Sequence, residues 1–337
     1  MNSSSDSKRI SALTHPMVDI LVSCERELLA SLNLEPGTYA TLERHEQDAL
    51  VAACRQGELA IVNGGSAANS VVCMSLLGIK TSLMGLAGDD AFGHHFVDEL
   101  KGTNVTACNP LVSAARTGSC VSLVTPDSER TMRTHLGVAK EFSESDINEA
   151  AIAESEWLLV EGYYLTASAK NRAALYRAIE IARANSTRVA FSAAAEFAVR
   201  QFKDEISSKI MPNVDLVFAN QDEARLLADA KAVDDAFSAL AESAHGVVVT
   251  SGAGGAAVSY EGARFHEPAF KGGLVAVDST GAGDAFAGAF LAGLTLGLSP
   301  QIAAKGAARI AAEVVTRSSS RAPENAQALF SDIIRSS

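Results

Sequence analysis

The chain has 337 residues, 47% of them hydrophobic and 20% charged, which supports a large folded core and excludes a disordered or collagen-like chain. A formal net charge of −12 argues against nucleic acid as a partner, because phosphate backbones are bound by basic surfaces. Small anionic substrates remain possible, since local N–H groups and a metal ion outweigh a distant surface charge. No apolar run approaches the length of a bilayer span, and the polar Met1 to Ser7 has no signal-peptide core behind it, so a cytoplasmic protein without a membrane partner is expected. The five cysteines stand singly, with no C-x-x-C pair and no histidine at metal-ligand spacing, and read as free thiols in a reducing compartment. His94 and His95 are adjacent, so on a helix they point in different directions and do not form a ligand pair.

In chain order, residues 30–62 carry Pro36-Gly37 and lack a regular βα rhythm, as do residues 105–135 with Pro110 and Pro126-Asp127. Both segments are predicted to form short antiparallel strands that project from the core as a lid. Between them, Asn63-Gly64-Gly65-Ser66-Ala67-Ala68-Asn69 opens a helix of small residues. Paired glycines there allow a substrate to rest against backbone, and Asn69 offers both a donor and an acceptor; the glycines also fit a plain strand-to-helix turn. Arg133, in Arg130-Thr131-Met132-Arg133, is placed to reach a transferred phosphoryl group when the lid closes, or else is a surface arginine.

Beyond residue 150, apolar runs of strand length alternate with helical segments. Trp157 to Val160 precedes a helix near Ala169 to Ala184; Val189 to Phe191 follows; Val214 to Phe218 precedes Asp222 to Leu227; then comes Val247 to Thr250. This is the βαβ rhythm of a mostly parallel sheet with helices on both faces. Asn220 and Glu223 lie one helical turn apart at the end of a strand, where they suit a hydrated Mg²⁺ or a helix cap. Thr250-Ser251-Gly252-Ala253-Gly254-Gly255 fits the dinucleotide pattern superficially, which brings a nicotinamide-dependent dehydrogenase into consideration. Tyr260-Glu261-Gly262 follows at once and implies a hairpin with no crossover helix, so a glycine loop over a nucleotide fits better.

The most informative stretch is Asp278-Ser279-Thr280-Gly281-Ala282-Gly283-Asp284-Ala285-Phe286. Leu274 to Val277 reads as a strand before it, and Phe286, Phe290, Leu291 and Leu294 recur at helical spacing after it. Gly281, Ala282 and Gly283 therefore mark a helix N-terminus, where free N–H groups and the helix dipole bind an anion. Asp284 would repel a phosphate there unless it takes a proton from an attacking hydroxyl during phosphoryl transfer; a first-turn acid that merely caps the helix is the alternative. The serine-rich ends Ser3 to Ser5 and Ser318 to Ser320 read as mobile.

In this order and over nearly the whole length, these motifs resemble the ribokinase or pfkB family of small-molecule kinases. The first signature spans Gly64 to Asn69 and Gly85 to Gly93, the N-x-x-E is Asn220 and Glu223, the T-x-G-x-x-G is Thr250, Gly252 and Gly255, and the last signature is Asp278 to Asp284. The resemblance implies one ribokinase-like α/β/α domain over residues 1–337 with a small β-sheet lid, ATP as donor, Asp284 as catalytic base and Gly281 to Gly283 as anion hole. Asn220 and Glu223 would hold Mg²⁺ through water, Thr250 to Gly255 would line ATP, and Asp19, Gly64, Gly65 and Asn69 would bind the acceptor. Asp278 and Thr280 match positions that hold K⁺ in many members. Lids of this kind are closed by partner subunits in some relatives, which leaves a homodimer open.

Gly162-Tyr163-Tyr164-Leu165-Thr166 and Met211 to Asn220 look most like the adenosine kinase branch, where an aromatic such as Tyr163 would stack on a purine; core packing is the alternative for both tyrosines. Thr14-His15-Pro16 departs from the family's Gly-Asn before the proline, so His15 stands where an asparagine would touch the substrate. A nucleoside, adenosine first, is the expected acceptor, with a sugar such as ribose or fructose as the alternative. A non-catalytic ligand sensor on the same fold is a third reading, disfavoured by the retained Asp284, Asn220 and Glu223.

Overall fold

The computed structural model describes residues 9–54, 59–127 and 129–336. Ser3 to Ser5, residues 55–58 of the first expected lid segment and residue 128 of the second lie outside the described residues. The strands are β1 (Arg9–Leu13), β2 (Met17–Ser23), β3 (Tyr39–Thr41), β4 (Leu59–Gly64), β5 (Lys80–Met84), β6 (Val105–Ala107) and β7 (Gly118–Val124). They continue with β8 (Arg130–His135), β9 (Trp157–Glu161), β10 (Arg188–Ser192), β11 (Leu216–Asn220), β12 (Val247–Thr250), β13 (Ala256–Tyr260) and β14 (Ala263–Glu267).

Nine strands form one sheet in the order β14-β13-β12-β11-β10-β9-β1-β5-β6, parallel except for the β12–β13–β14 meander at one edge. Its central strands are continuous apolar runs because both faces are covered. Trp157 and Leu159 of β9 enter a core with the helices Ser66–Leu76, Ala282–Thr295 and Pro300–Val314. Leu158 and Val160, pointing the other way, enter a second core with the helices Ala169–Ala184, Gln221–Ala228 and Val233–Ser243. The sequence-expected elements from Trp157 to Thr250 are all present within two residues of their expected bounds.

A smaller sheet runs β3-β8-β7-β2-β4. One face carries Ile20, Val22, Val121 and Leu123 onto Leu29, Leu50 and Cys54, and the other turns Asp19, Cys120, Met132 and Thr134 to a cleft over the large sheet. Three expectations change here. An inner strand of this sheet, β2, precedes the expected lid segments; β6, inside the second one, pairs with β5 in the large sheet; and the β2–β7 and β3–β8 pairings are parallel. The reason is topological: β2 follows β1 directly through Pro16 and leaves the core at once, a step that apolar periodicity does not register. Leu274 to Val277 is likewise no strand. The segment is irregular with Val275 76% exposed, and it has no neighbour to pair with beyond the Val315 carbonyl, which accepts from Val277 N–H at 2.7 Å.

Two helices decide where the chemistry sits. Ser66–Leu76 and Ala282–Thr295 cross at Gly288, where an added Cβ would lie 2.5 Å from the Ser70 carbonyl oxygen. Ala67, Ala68, Ala285 and Ala289 are all buried in the core around this crossing, so the backbones approach closely. Replacing Gly288 with valine should part the helices, lowering stability by about 1–3 kcal/mol. It should also lower turnover more than substrate binding; an unchanged melting temperature would show that the contact is slack.

Candidate active site

Gly281 has φ +78° and ends the turn before the Ala282–Thr295 helix. The helix's own ladder begins with Ala285 N–H bonding the Gly281 carbonyl at 2.8 Å, so the N–H groups of Gly283 and Asp284 have no carbonyl within the helix. Nothing lies within 4 Å of a Cβ built on Gly283, which leaves its backbone open to an anion. The Asp284 side chain turns inward. Ser66 Oγ donates to its Oδ1 at 2.5 Å and Asn69 Nδ2 to its Oδ2 at 2.8 Å. Burial holds its pKa above the usual carboxylate range, while the Asn69 and Ser66 hydrogen bonds and Arg321 pull it down. It accepts no backbone N–H bond at its own helix terminus, so its side chain is not a cap.

Asp284 lies in a cleft of about 360 Å³ under the smaller sheet, lined also by His15, Asp19, Gly65, Asn69, Tyr163, Asn220, Thr280 and Gly281. The sequence-predicted residues of the acceptor side thus converge. A Cβ on Gly64 would lie 2.6 Å from Asp19 Oδ2, and one on Gly65, at φ +90°, would lie 2.7 Å from the His15 carbonyl oxygen, so both glycines leave room for the neighbouring group. Burial raises Asp19 to about 6, against the pull of Arg130 and Arg321. His15 stacks on Tyr164 and its Nε2 lies 3.0 Å from Asn171 Oδ1. The Asn171 amide nitrogen donates to the carbonyls of Ala139 and Phe142 at 3.2 and 2.9 Å. Its Oδ1 must then accept, Nε2 of His15 carries the proton, and Nδ1 holds a lone pair. Burial lowers this histidine to about 4, so it is neutral near pH 7.

The two tyrosines divide. Tyr163 lines the cleft and packs on Phe197, which stacks on Tyr39; Tyr164 is fully buried and donates to the Thr14 carbonyl at 2.9 Å, a core role.

On the other side, Asn220 and Glu223 form a capping box. Asn220 Oδ1 accepts from the N–H groups of Asp222 and Glu223, and Glu223 Oε2 accepts from Asn220 N–H at 2.8 Å. Burial, with Glu196, Asp284 and Asp222 nearby, raises Glu223 to about 7. Asp19 and Glu161 likewise feel Asp284, so carboxyl groups gather here, and the oxygens of Glu223 and Asn220 are of the hard type that would suit a hydrated Mg²⁺ as outer partners. Thr250 pairs with Asn220 in register, and the turn through Gly252 and Gly255 leads into the β13–β14 hairpin. These three residues extend the strand edge beyond the cleft, and no crossover helix follows, which removes the dehydrogenase reading.

Two expected roles do not hold. Arg133 points to the far face of the smaller sheet, donating to the Thr38 carbonyl and hydroxyl at 2.8 and 3.0 Å, because alternation along β8 sends Arg130, Met132 and Thr134 to the cleft side instead. Arg130 is the lid arginine that reaches the core, where it pairs with Asp278. Asp278 Oδ1 also accepts from Thr280 N–H at 3.0 Å, so its carboxylate is engaged by a guanidinium and does not fit a K⁺ site in this arrangement. A second cavity of about 460 Å³, behind the smaller sheet, is lined by Gln47, Asp48, Asp90, Arg116 and His135 and touches no predicted site residue.

Sequence reasoning missed Ser66, Glu161 and Arg321. Glu161 ends β9, accepts from Ala67 N–H at 2.8 Å and is raised by burial to about 8; a carboxylate closing the apolar run Trp157 to Val160 was the available signal. Ser320, in the stretch Ser318 to Ser320 read as mobile, and Arg321 next to it are 6% and 8% exposed.

A buried carboxylate at an anion-binding helix terminus, beneath a second sheet, is the layout of a phosphotransferase acting on small molecules. The model of the pfkB family of carbohydrate kinases matches residues 38–327, and the chain belongs to that family. It is therefore a kinase that takes ATP, with Mg²⁺ as the nucleotide's companion ion. An adenosine kinase of Saccharomyces cerevisiae is 26% identical over 309 residues, 85% of this chain and 88% of that protein. A 5-dehydro-2-deoxygluconokinase of Bacillus licheniformis is 29% identical over 274 residues, 76% and 82%. The crystal structure of adenosine kinase from Sinorhizobium meliloti superposes with a TM-score of 0.88 at 26% identity, covering 98% of this chain and 100% of that one. Among the described residues no helix is long and apolar enough to cross a membrane.

The tyrosine assignment is directly testable. Tyr164→Phe should cost about 1 kcal/mol of stability by leaving the buried Thr14 carbonyl unpaired. Tyr163→Leu should leave the melting temperature nearly unchanged and raise KM for the acceptor. The reverse pattern in thermal melts and kinetics would exchange the two roles.

Proposed function

We propose that this kinase transfers the γ-phosphoryl group of ATP to a hydroxyl of a nucleoside, adenosine first, with Asp284 as general base. The observation that carries the reading is the buried Asp284 carboxylate, oriented by Ser66 and Asn69 beside the free N–H groups of the helix terminus. An acceptor hydroxyl bound against Gly65 and Asn69 gives its proton to Asp284 as its oxygen bonds to the γ-phosphorus; the bond from that phosphorus to the bridging oxygen breaks, and ADP leaves. Gly281 to Gly283 offer N–H groups to the charge on the moving phosphoryl oxygens. Bound Mg²⁺ supplies charge neutralisation on the nucleotide, with Glu223 and Asn220 as its water-mediated partners.

The purine is supported by the aromatic wall of Tyr163 and Tyr39 packed on Phe197, and Thr250 to Gly255 belong with the ATP ribose and phosphates. A sugar acceptor is the second reading. It is favoured by the polar crowding of Asp19, Glu161 and the His15 Nδ1 lone pair, which offers hydroxyl partners on several sides. The smaller sheet, formed largely by residues 30–62 and 105–135 with β2, acts as the lid of a single kinase domain. Its edge strand β4, with Leu59 40% and Ile61 49% exposed, supports a homodimer through that lid.

ADP release from Mg-ATP, measured against adenosine, other nucleosides, ribose, fructose and 5-dehydro-2-deoxygluconate, separates the two readings. Asp284→Asn should lower kcat by about 10²–10⁴-fold with KM nearly unchanged. Turnover surviving at the wild-type rate would sink the assignment of the base. In the wild type kcat should fall as pH drops through the raised pKa of Asp284, because the base must be ionised to accept a proton.

A further inference from the structure

We propose that Arg321, in the C-terminal Ser318–Arg321 segment, is the positioning residue that sets the amide of Asn69 and through it the base Asp284. The inference rests on the reading of Asp284 as the base.

An asparagine amide has one accepting and one donating end, and the partners decide which faces which. Arg321 Nη1 donates to Asn69 Oδ1 at 2.5 Å and Ser320 Oγ donates to the same oxygen at 3.2 Å. The nitrogen end therefore faces Asp284 Oδ2, at 2.8 Å. The opposite orientation would set the amide N–H groups against a guanidinium and the amide oxygen against a carboxylate, unfavourable at both ends. Arg321 is itself fixed, because its Nε and Nη2 donate to Glu99 Oε2 at 3.2 and 2.8 Å. A chain of charge-assisted bonds thus runs from Glu99 through Arg321 and Asn69 to the base.

The surrounding structure is shaped for this contact. A Cβ at Gly281 would lie 2.4 Å from the Ser320 carbonyl oxygen, so the glycine of the anion turn is also what admits the tail segment. Arg321 and Asn69 are only 8% and 5% exposed. The charged and titratable groups around Asp284 are Asp19 from β2, Glu161 at the end of β9, Tyr163 after it, Glu223 from the Gln221–Ala228 helix, and Arg321. Of these Arg321 is the cation, while Arg130 is committed to Asp278. The fork of a guanidinium satisfies Glu99 and Asn69 together, and an ammonium has no such geometry.

The test is the pH dependence of kcat for Arg321→Met and Arg321→Lys, with Asp284→Asn as reference, using Mg-ATP and the acceptor of the panel above with the highest turnover. Arg321→Met should lower kcat near pH 7 by roughly tenfold, leave both KM values within about threefold, and move the acid limb of kcat upward by about one pH unit, because the base loses its cation. Raising the pH should recover part of the loss. Arg321→Lys should keep the limb near its wild-type position yet remain slow, because charge is retained and the amide is not set. An unmoved limb in Arg321→Met, whether kcat is unchanged or merely lower at every pH, overturns the inference even though Asp284→Asn is inactive. Full activity of Asp284→Asn would instead remove the base reading, so the two failures are distinct.

Discussion

Everything chemical in this molecule depends on how closely two helices of small residues approach each other at Gly288 and Ser70. The Ser66–Leu76 helix carries Ser66 and Asn69, the Ala282–Thr295 helix carries Asp284, and the three meet only because the crossing has no side chain at Gly288. Ser70 Oγ donates to the Asp284 carbonyl at 2.9 Å, so a side chain of the first helix also ties onto the backbone of the second at the crossing. Packing at the crossing brings the two helices together, and the hydrogen bonds from Ser66 and Asn69 then orient the Asp284 carboxylate.

The second constraint is electrostatic. Asp19, Glu161, Glu223 and Asp284 are drawn into one poorly solvated region, and burial raises each of them. Such a cluster is costly unless cations or protons compensate it. Arg321 does so beside Asp19 and Asp284, whereas the charged neighbours that act on Glu223 are all acidic. The cleft is thus arranged to be completed by its ligands, which fits a kinase whose donor brings a divalent ion with it.

Most of the large sheet was legible because a parallel strand buried on both faces writes itself as a continuous apolar run. Trp157 to Val160 and Val247 to Thr250 show this, and glycines with a carboxylate mark the strand edge where chemistry sits. What the sequence hid was of two kinds. Leu274 to Val277 is apolar and β-branched like a strand, yet it has no partner strand, and pairing is a tertiary property. Arg130 and Arg133 are both lid arginines three residues apart, and only the register of β8 tells which faces the cleft. Ser318 to Ser320 illustrates the same limit: a polar, serine-rich stretch has the composition of a loose tail, while the burial of Ser320 follows from the space left beside Gly281.

These particulars explain why the helix-terminus side of the cleft was easier to read than the side opposite it. The former is built from backbone and one carboxylate, so it requires glycines at fixed positions and leaves a motif. The latter is built from side chains of three unconnected elements: His15 and Asp19 on either side of the turn into β2, Glu161 at the end of β9, and Tyr163 just beyond it. None of these needs a neighbour in sequence, and each can change without disturbing the Gly288 crossing that places Asp284. A cleft wall assembled this way can be altered one residue at a time on an unchanged helix crossing. His15 is the clearest instance: its proton is assigned to Nε2 by Asn171, 156 positions along the chain, and the lone pair left on Nδ1 is a feature that no local motif encodes.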